Sequence, residues 1–256
     1  MKTTDVKPNP VETGNCEKHG LYEYRYMHMR FKDKYMVSDY CVKCVDEEAS
    51  ERKLKDENEK GAKDIERARY TRESNRTNAG ISKRNLYKTF TDYKCDNEGQ
   101  AKAKNDCERF VKEFPCEKSM IMVGGVGTGK TLLASAMLDS LVDNNRCEII
   151  KVIDLIRHLK STWAKDSENT EEDLIKYYCK LDLLILDEVG SQFGSDTEKL
   201  FIFDIIDGRY QDMKQTVLIS NLDIDGIKDV IGERCVDRLR EGGGSMIAFD
   251  WKSSRI

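Results

Sequence analysis

The segment SMIMVGGVGTGKTLLASAM, residues 119–137, decides the fold of this 256-residue chain. Its centre, GGVGTGKT from Gly124 to Thr131, fits the pattern G-x-x-x-x-G-K-[ST] in full, between a strand-like apolar run and a helical pattern. Glycines in such a loop let backbone N–H groups turn toward a phosphate chain, and the helix N-terminus adds positive potential. The segment therefore predicts a phosphate-binding loop rather than a glycine-rich turn with a chance lysine.

The loop also predicts which residues contact the ligand. Lys130 would reach the β and γ phosphates of a nucleotide, and the Thr131 hydroxyl would bind Mg²⁺. The expected nucleotide-binding residues are the loop, the residue after it and one acidic residue: Gly124, Gly125, Val126, Gly127, Thr128, Gly129, Lys130, Thr131, Leu132 and Asp187.

Two carboxylates, Asp187 and Glu188, end an apolar strand pattern, LDLLIL, at residues 181–186. Asp187 is the second expected Mg²⁺ ligand beside Thr131, and Glu188 can orient or deprotonate an attacking water. Strand ends are often acidic, but a phosphate-binding loop in the same chain favours the catalytic interpretation. The pair also argues against a small-molecule kinase, which needs no glutamate to activate water.

Asn221 stands just past another predicted strand, TVLIS at residues 216–220. Its amide would hold the attacking water near the γ-phosphate, whereas a Ser-Asn pair after a strand can also be an ordinary turn. Its position after the acidic strand favours the catalytic role.

Strand and helix patterns alternate from about residue 80 onward. Apolar runs buried on both faces and separated by helices predict a parallel, doubly wound α/β sheet. The predicted strands are residues 119–123, 147–153, 181–186, 216–220 and 246–251, and the predicted helices are residues 99–114, 130–142, 154–165, 170–180 and 197–210.

Four metal-competent residues near the N-terminus stand in two pairs, Cys16-x₂-His19 and Cys41-x₂-Cys44. Three thiolates and an imidazole at this spacing suit a tetrahedral zinc ion. A region this small has little apolar core, so the metal would supply much of its stability. The alternative is four unrelated side chains; the spacing favours a zinc-ribbon-like domain.

Between the two pairs, Tyr22, Tyr24, Tyr26 and His28 alternate as one face of a strand would. Residues 32–34, KDK, can turn that strand back into a hairpin. His28 is an alternative ligand to His19, but its register with the tyrosines favours a packing role.

Composition divides the chain into a zinc-ribbon-like domain at residues 1–45, a charged linker, helical or partly disordered, at 46–78, and an ATPase domain at 79–256. The net charge is −4, so any contact with DNA must come from a local patch. The first fifteen residues lack a signal-peptide core, and no run approaches the roughly 18 apolar residues of a membrane helix. We therefore expect a cytoplasmic protein that contacts no membrane.

Taken together, the motifs of residues 79–255 resemble those of the AAA+ ATPases of the DnaC/IstB/DnaI group. The matching segments are AGISKRNLYKTFTDY, GGVGTGKT, DLLILDEVG, DGRY, ISNL, GERCVDRLREGG and FDWKSSR. The resemblance implies a P-loop AAA+ fold of the ASCE type, with helices on both faces of a parallel sheet of order 5-1-4-3-2 and no large lid domain. It also implies ATP as the nucleotide and DNA-stimulated ATP hydrolysis as the activity.

The resemblance assigns roles to two arginines near the end of the chain. Arg238 resembles the arginine finger that reaches the ATP of a neighbouring subunit, and a surface salt bridge is the alternative. Arg255 resembles the second sensor, close to the subunit's own γ-phosphate. We interpret Arg234 and Arg240 as surface residues paired with nearby glutamates.

Two further assignments stay open. Residues 154–165, DLIRHLKSTWAK, are either a basic contact for DNA in which Trp163 stacks on a base, or an amphipathic helix with Trp163 in the core. The resemblance also implies that Phe90 or Tyr93 lies near adenine.

Three functions fit these motifs. The first is a bacterial or phage-encoded helicase loader that assembles through a trans arginine finger, grips single-stranded DNA and places a hexameric, DnaB-like replicative helicase on it. The second is an IstB-like accessory ATPase of transposition, and the third is a non-catalytic adaptor for DNA or protein. A zinc domain ahead of the ATPase favours the loader, and intact Lys130, Asp187, Glu188 and Asn221 argue against the adaptor.

Overall fold

The computed structural model describes residues 2–7, 10–190 and 195–253. The chain divides into two compact units, residues 1–69 and residues 70–256, and their boundary falls inside helix α1 (Val42–Asn78). The three-part division expected from composition, at residues 45 and 78, stays a prediction.

The first unit holds five short antiparallel strands. Strands β2 (Thr13–Cys16) and β3 (Gly20–Glu23) form one hairpin. Strands β4 (Arg25–Met29) and β5 (Lys34–Ser38) form a second hairpin, and β1 (Lys2–Thr4) pairs with the other edge of β5. Helix α1 then begins at Val42, directly after the second hairpin.

The tyrosine-rich run does not form the single strand that its alternation predicts. Tyr22 lies in β3 and Tyr26 in β4, and the chain leaves one sheet for the other at Tyr24. The Tyr24 N–H donates to the Glu12 carbonyl (2.9 Å) at this point. The reversal at residues 30–33 lies close to the predicted turn, with Asp33 in the left-handed region (φ 47°).

The second unit is built on a five-stranded parallel sheet. Its strands are β6 (Met120–Gly124), β7 (Cys147–Lys151), β8 (Leu183–Val189), β9 (Gln215–Ser220) and β10 (Ser245–Phe249). Their order is β10-β6-β9-β8-β7, with every neighbouring pair parallel. Counted from β6, this is the 5-1-4-3-2 order that the resemblance implies, so the predicted fold class is confirmed.

Helices cover both faces of the sheet. They are α2 (Glu98–Glu113), α3 (Lys130–Leu141), α4 (Val152–Ser161), α5 (Glu171–Lys180), α6 (Asp196–Gln211), α7 (Ile224–Ile231) and α8 (Glu233–Arg240). In β6, Met120 and Met122 pack with α2 and α3, while Ile121 and Val123 pack on the opposite face with α4 to α8. This burial on both faces explains why the strands read as continuous apolar runs.

Local sequence sets the helix ends where a cap is present. Asn97 accepts from the Gln100 N–H (2.8 Å) while the Gln100 side chain accepts from the Asn97 N–H, which is a capping box that starts α2. Thr170 and Asp173 start α5 in the same way. The sequence patterns omit α7 and α8, because each has only eight residues and Gly232 (φ 90°) separates them.

Arg209, in the DGRY segment, is fully buried. Its guanidinium donates to the carbonyls of Tyr178 (2.6 Å) and Leu181 (2.8 Å) at the end of α5, and to the Thr216 hydroxyl (2.9 Å) in β9. Burial lowers the pKa of Arg209 to about 10. The side chain therefore joins the end of one helix to the start of a central strand.

Across the ranges that the structure describes, no helix is both long and apolar enough to cross a membrane.

Candidate nucleotide site and metal centre

A cleft of about 630 Å³ opens at the carboxyl ends of β6, β8 and β9, where open parallel sheets bind ligands. The structure brings the predicted residues together there: Val126, Gly127, Thr128, Gly129, Lys130, Thr131, Leu132, Asp187, Glu188 and Asn221 all line it. The rest of the wall comes from the segment before α2, from α3 and α4, and from the ends of β7 and β9: Gly80, Ser82, Arg84, Asn85, Ser135, Ile149, Ile150, Lys151, Asp154, Ile219 and Ser220.

Two glycines of the loop are required by space as well as by conformation. Gly124 has φ 134°, and a Cβ there would lie 2.2 Å from the Phe249 carbonyl oxygen. Gly129 has φ 95°, and a Cβ there would lie 2.5 Å from the Tyr93 ring. The loop therefore passes between β10 and the segment that carries Tyr93, which fixes its path.

Lys130 is nearly fully buried under the loop. Its ammonium donates to the carbonyls of Gly124 (2.6 Å) and Gly125 (2.7 Å). Gly124 and Gly125, two of the predicted nucleotide-binding residues, are hydrogen-bond acceptors of Lys130 and are not among the residues that line the cleft. A buried ammonium beside backbone N–H groups is a strong attractor for phosphate oxygens.

Thr131 and Asp187 already lie within one hydrogen bond. The Thr131 hydroxyl donates to Asp187 Oδ2 (3.0 Å), and Asp187 is only 5% exposed. Burial raises the pKa of Asp187, and the hydrogen bond from Thr131 opposes that rise. A hydroxyl and a carboxylate oxygen at this distance fit the oxygen ligands that Mg²⁺ prefers.

Glu188 sits at an irregular point of its strand. Its φ is 58°, and the register of β8 on β9 shifts between Leu186 and Val189. The bulge directs the Glu188 side chain into the cleft, where its Oε1 lies 2.9 Å from Lys151 Nζ. Asn221 lines the same cleft directly after β9.

Several residues of the site escaped the sequence patterns. The Thr128 carbonyl accepts hydrogen bonds from Tyr93 Oη (3.3 Å) and Trp251 Nε1 (3.0 Å). Two aromatic side chains therefore fix the position of the loop backbone at Thr128. Tyr93 is 7% exposed, and Phe90 packs against the same core. Neither is among the residues that line the cleft described above, and the expectation that one of them lies near adenine stays a prediction.

Part of the cleft wall comes from the segment between α1 and α2. Asn85 Nδ2 donates to the Ser135 hydroxyl (3.2 Å), and that hydroxyl donates to the Thr131 carbonyl (2.7 Å). These bonds tie the wall to the first turns of α3. No local motif marks Asn85; the resemblance covers it only as part of a longer segment.

Arg238 lies at the other end of the sheet. Its Nε donates to Asp207 Oδ1 (3.1 Å), and its guanidinium stands 4.2 Å from the centre of the Tyr210 ring. It lines a separate cleft with Ser119 and Thr216, at the amino ends of β6 and β9. The structure thus places Arg238 away from the nucleotide cleft of its own subunit.

Expectations for three other arginines concern Arg255 as the second sensor and Arg234 and Arg240 as partners of nearby glutamates. Arg255 lies outside the described residues. The glutamates near Arg234 and Arg240 have other cationic partners: Glu233 stands 3.9 Å from Lys228, and Glu241 stands 3.6 Å from Arg238.

Trp163 is not a core residue. It is 59% exposed, and its indole N–H donates to Glu171 (2.9 Å). Two cations of the same segment have acidic partners: Arg157 pairs with Asp154 (3.0 Å) and Lys160 with Glu198 (2.6 Å). The amphipathic helix therefore exists, but without the tryptophan in its buried face.

The four predicted metal ligands of the first unit converge. Single donor atoms of Cys16, His19, Cys41 and Cys44 lie within 4.8 Å of one another. The first pair flanks the β2–β3 turn, and the second pair lies at the start of α1. His28 instead contacts Asp33 (2.9 Å), so the geometry selects His19. Three thiols and an imidazole in this space fit zinc.

Two thiols of this cluster have pKa values shifted in opposite directions. Backbone N–H groups of His19 and Lys18 lower the pKa of Cys16 to about 6. The contact between Cys16 and Cys44 (3.5 Å) raises the pKa of Cys44 to about 12, because a second negative charge would stand beside the first. A bound dication would offset the repulsion between the two thiolates, so that both Cys16 and Cys44 could be deprotonated.

Comparison with known proteins gives consistent matches. A family model described as IstB-like ATP binding protein matches residues 40–238. Over 179 residues the chain is 37% identical to the replicative helicase loader DnaC of Buchnera aphidicola subsp. Schizaphis graminum, covering 69% of this chain and 73% of that protein. The resemblance predicted from the motifs is therefore confirmed.

Solved structures extend the match to the fold. A crystal structure of the DnaC helicase loader aligns with a TM-score of 0.59 at 26% identity, over 65% of this chain and 99% of that one. A crystal structure of DnaI aligns with a TM-score of 0.56 at 25% identity, over 68% of this chain and 94% of that one. The shared architecture thus includes nearly all of the two solved chains and 65–68% of this one.

Proposed function

The chain belongs to the family of IstB-like ATP-binding proteins, and from this premise we propose that it loads a replicative helicase onto single-stranded DNA when DNA replication starts. The observation that carries the proposal is one cleft holding Lys130, Thr131, Asp187, Glu188 and Asn221 in a chain 37% identical to a DnaC helicase loader. The expected partner is a hexameric, DnaB-like helicase, and the expected location is the bacterial cytoplasm.

We propose that ATP hydrolysis drives the loading cycle. Lys130 would leave its two loop carbonyls for the β and γ phosphates. Thr131 and Asp187 would hold Mg²⁺, and bound ATP would supply the bond to be cleaved. Glu188 would accept a proton from the attacking water while Asn221 holds that water in line, and single-stranded DNA would stimulate the step.

Assembly of several subunits would complete the site. Arg238 is proposed to reach the ATP of a neighbouring subunit, which agrees with its position at the opposite end of the sheet from its own cleft. An arginine supplied in this way accelerates hydrolysis in known NTPases by roughly 10³–10⁵. Arg255 is proposed to contact the γ-phosphate of its own subunit.

The N-terminal zone, residues 1–45, is proposed to bind one zinc ion through Cys16, His19, Cys41 and Cys44 and to contact the helicase. The convergence of the four donors supports the ion. Residues 46–78 would act as a charged, largely helical linker to the ATPase domain of residues 79–256.

An IstB-like role in transposition is the second candidate, because the family model that matches is described as IstB-like. A non-catalytic adaptor is disfavoured, since a lysine, two carboxylates and an amide that hydrolysis would use all line the cleft.

Two measurements test the proposal. The chain should hydrolyse ATP faster with single-stranded DNA, and Lys130→Ala should lose both rates. Tight ATP binding without turnover in every condition would instead indicate the adaptor. In a parallel pull-down the chain should retain a replicative helicase hexamer and not a transposase, and the reverse result would indicate the transposition role.

A further inference from the structure

His19 presents different ring nitrogens to two different environments. Its Nδ1 faces the three sulfurs, at 3.3 Å from Cys44, 3.6 Å from Cys41 and 3.8 Å from Cys16. Its Nε2 points the other way and lies 2.9 Å from Glu47 Oε1. The imidazole is thus already oriented with one nitrogen toward the cluster and one toward a carboxylate.

Glu47 reaches this position because of its place on α1. It follows Cys44 by three residues, and side chains three apart lie on the same face of a helix. Its second oxygen accepts from Lys18, the residue before His19. One helical carboxylate therefore joins two consecutive residues of the β2–β3 turn to the helix that carries Cys44.

We propose that Glu47 is a positioning residue for the metal centre, an inference that rests on the proposed zinc site. It accepts the Nε2–H of His19, which leaves the lone pair of Nδ1 directed at the metal and fixes the plane of the ring. Metal-bound histidines commonly donate their other ring N–H to a carboxylate, and loss of that partner typically lowers metal affinity 10- to 100-fold.

A simple surface ion pair between Glu47 and Lys18 is the competing explanation. Both side chains are substantially exposed, so the ion pair by itself contributes little to stability. His19 differs, because its side chain is only 15% exposed. The two explanations separate on one quantity: a surface ion pair leaves zinc affinity unchanged when Glu47 is removed, whereas a positioning role does not.

The test measures zinc affinity of the full-length chain by competition with a coloured chelator. Glu47→Ala should bind zinc 10- to 100-fold more weakly than wild type, and Glu47→Gln, which keeps an acceptor oxygen, should recover part of the loss. Glu48→Ala is the matched control, since Glu48 is the next carboxylate on α1 and pairs with Arg52 (3.5 Å). Lys18→Met should change the affinity less than Glu47→Ala does.

A second readout is independent of affinity. Nitrogen-15 NMR of labelled histidine should show zinc bound to Nδ1 of His19 and a proton on Nε2, with His28→Gln and His158→Gln used to assign the other rings. Unchanged affinity in Glu47→Ala, or coordination through Nε2, would overturn the positioning role while leaving the zinc site intact. A wild-type chain that binds no zinc would overturn the metal centre itself and the inference with it.

Discussion

Lys151 Nζ lies 2.9 Å from Glu188 Oε1, so the carboxylate proposed to activate water is held in an ion pair. The lysine ends β7 and pairs in register with Asp187 of β8, which places it beside the acidic pair. The hydrogen bond to Glu188 raises the pKa of Lys151, so the lysine is charged at neutral pH. An ammonium at this distance competes with a water proton for the same carboxylate oxygen.

Lys151→Met should therefore raise ATP turnover without DNA. Both partners are about half exposed, and such ion pairs contribute about 1 kcal/mol or less, which limits the rise to about fivefold. Lys176→Met is the matched control, because Lys176 pairs with Glu172 on the surface of α5. A drop in the steady-state rate would show instead that Lys151 helps to orient Glu188.

Glu188→Gln should separate binding from hydrolysis. The change keeps the size and the hydrogen-bonding shape of the side chain, so ATP affinity should stay within about twofold. Turnover should fall by about 100-fold or more, because general-base catalysis is lost. Equilibrium titration and phosphate release measure the two quantities, and an unaltered rate would remove Glu188 from the mechanism.

Asp187→Asn should stabilise the nucleotide-free chain while weakening its response to Mg²⁺. Burial raises the pKa of Asp187 in the folded state, so its contribution to stability is full below the unfolded pKa and is lost as pH rises through the folded value. At pH 7 the wild type has lost this contribution, because Asp187 is then a buried charge. The asparagine variant has no charge at this position and does not lose stability in this way. Denaturant unfolding at pH 7 should give a larger free energy for the variant, with a smaller difference near pH 3; equal values at pH 7 would contradict this.

The part of the site that lies in one segment is the part that the sequence predicts well. Gly124 to Thr131 must take one conformation to bind phosphate, and the strand and helix around it follow from that requirement. Trp251 and Tyr93 contact the same loop from 123 and 35 residues away, and no local pattern encodes such contacts. The contact of Trp251 becomes visible only when β10 pairs with β6, and that of Tyr93 only when the segment before α2 packs on the loop.

Contacts between distant segments also explain why the sequence did not predict the role of Lys151 and why the strand predicted over residues 22–28 was wrong. Lys151 is an ordinary strand-end lysine until the register of β7 on β8 is known. Tyr22 and Tyr26 do alternate as predicted, but Tyr22 lies in the sheet of β3 and Tyr26 in the sheet of β4. The hydrogen bond from the Tyr24 N–H to the Glu12 carbonyl lies where the chain passes from one sheet to the other. Periodicity reports which face a residue occupies, not which sheet it joins.

Tyr93→Phe combined with Trp251→Phe should loosen the phosphate loop. Each change removes one donor to the Thr128 carbonyl and keeps an aromatic ring in place. A hydrogen bond contributes about 1 kcal/mol, or about fivefold in affinity. The single variants should each weaken ATP binding by less than fivefold, because the other donor remains, and the double variant should lose more than their product. A double-mutant cycle on ATP affinity measures this, and strict additivity would show that the two donors act independently.

The last prediction concerns Arg238 and requires two kinds of subunit. Arg238→Ala leaves Lys130, Thr131 and Asp187 untouched, so the variant should still bind ATP. Its assemblies should hydrolyse ATP about 1000-fold more slowly, because developing phosphoryl charge loses its guanidinium. Arg234→Ala is the matched control, since Arg234 is an exposed arginine on the same helix, and its rate should match wild type.

Lys130→Ala has the complementary defect, an empty nucleotide site beside an intact Arg238. Random mixing of the two inactive variants in equal amounts pairs an intact site with an intact finger at about one interface in four, since each is present in half of the subunits. Phosphate release on single-stranded DNA should therefore recover to about a quarter of the wild-type rate, and fall when either variant is in excess. The motivating geometry is the location of Arg238 beside Asp207 and Tyr210, at the opposite end of the sheet from its own cleft. If mixed assemblies form and no ratio restores hydrolysis, Arg238 does not act on the neighbouring subunit.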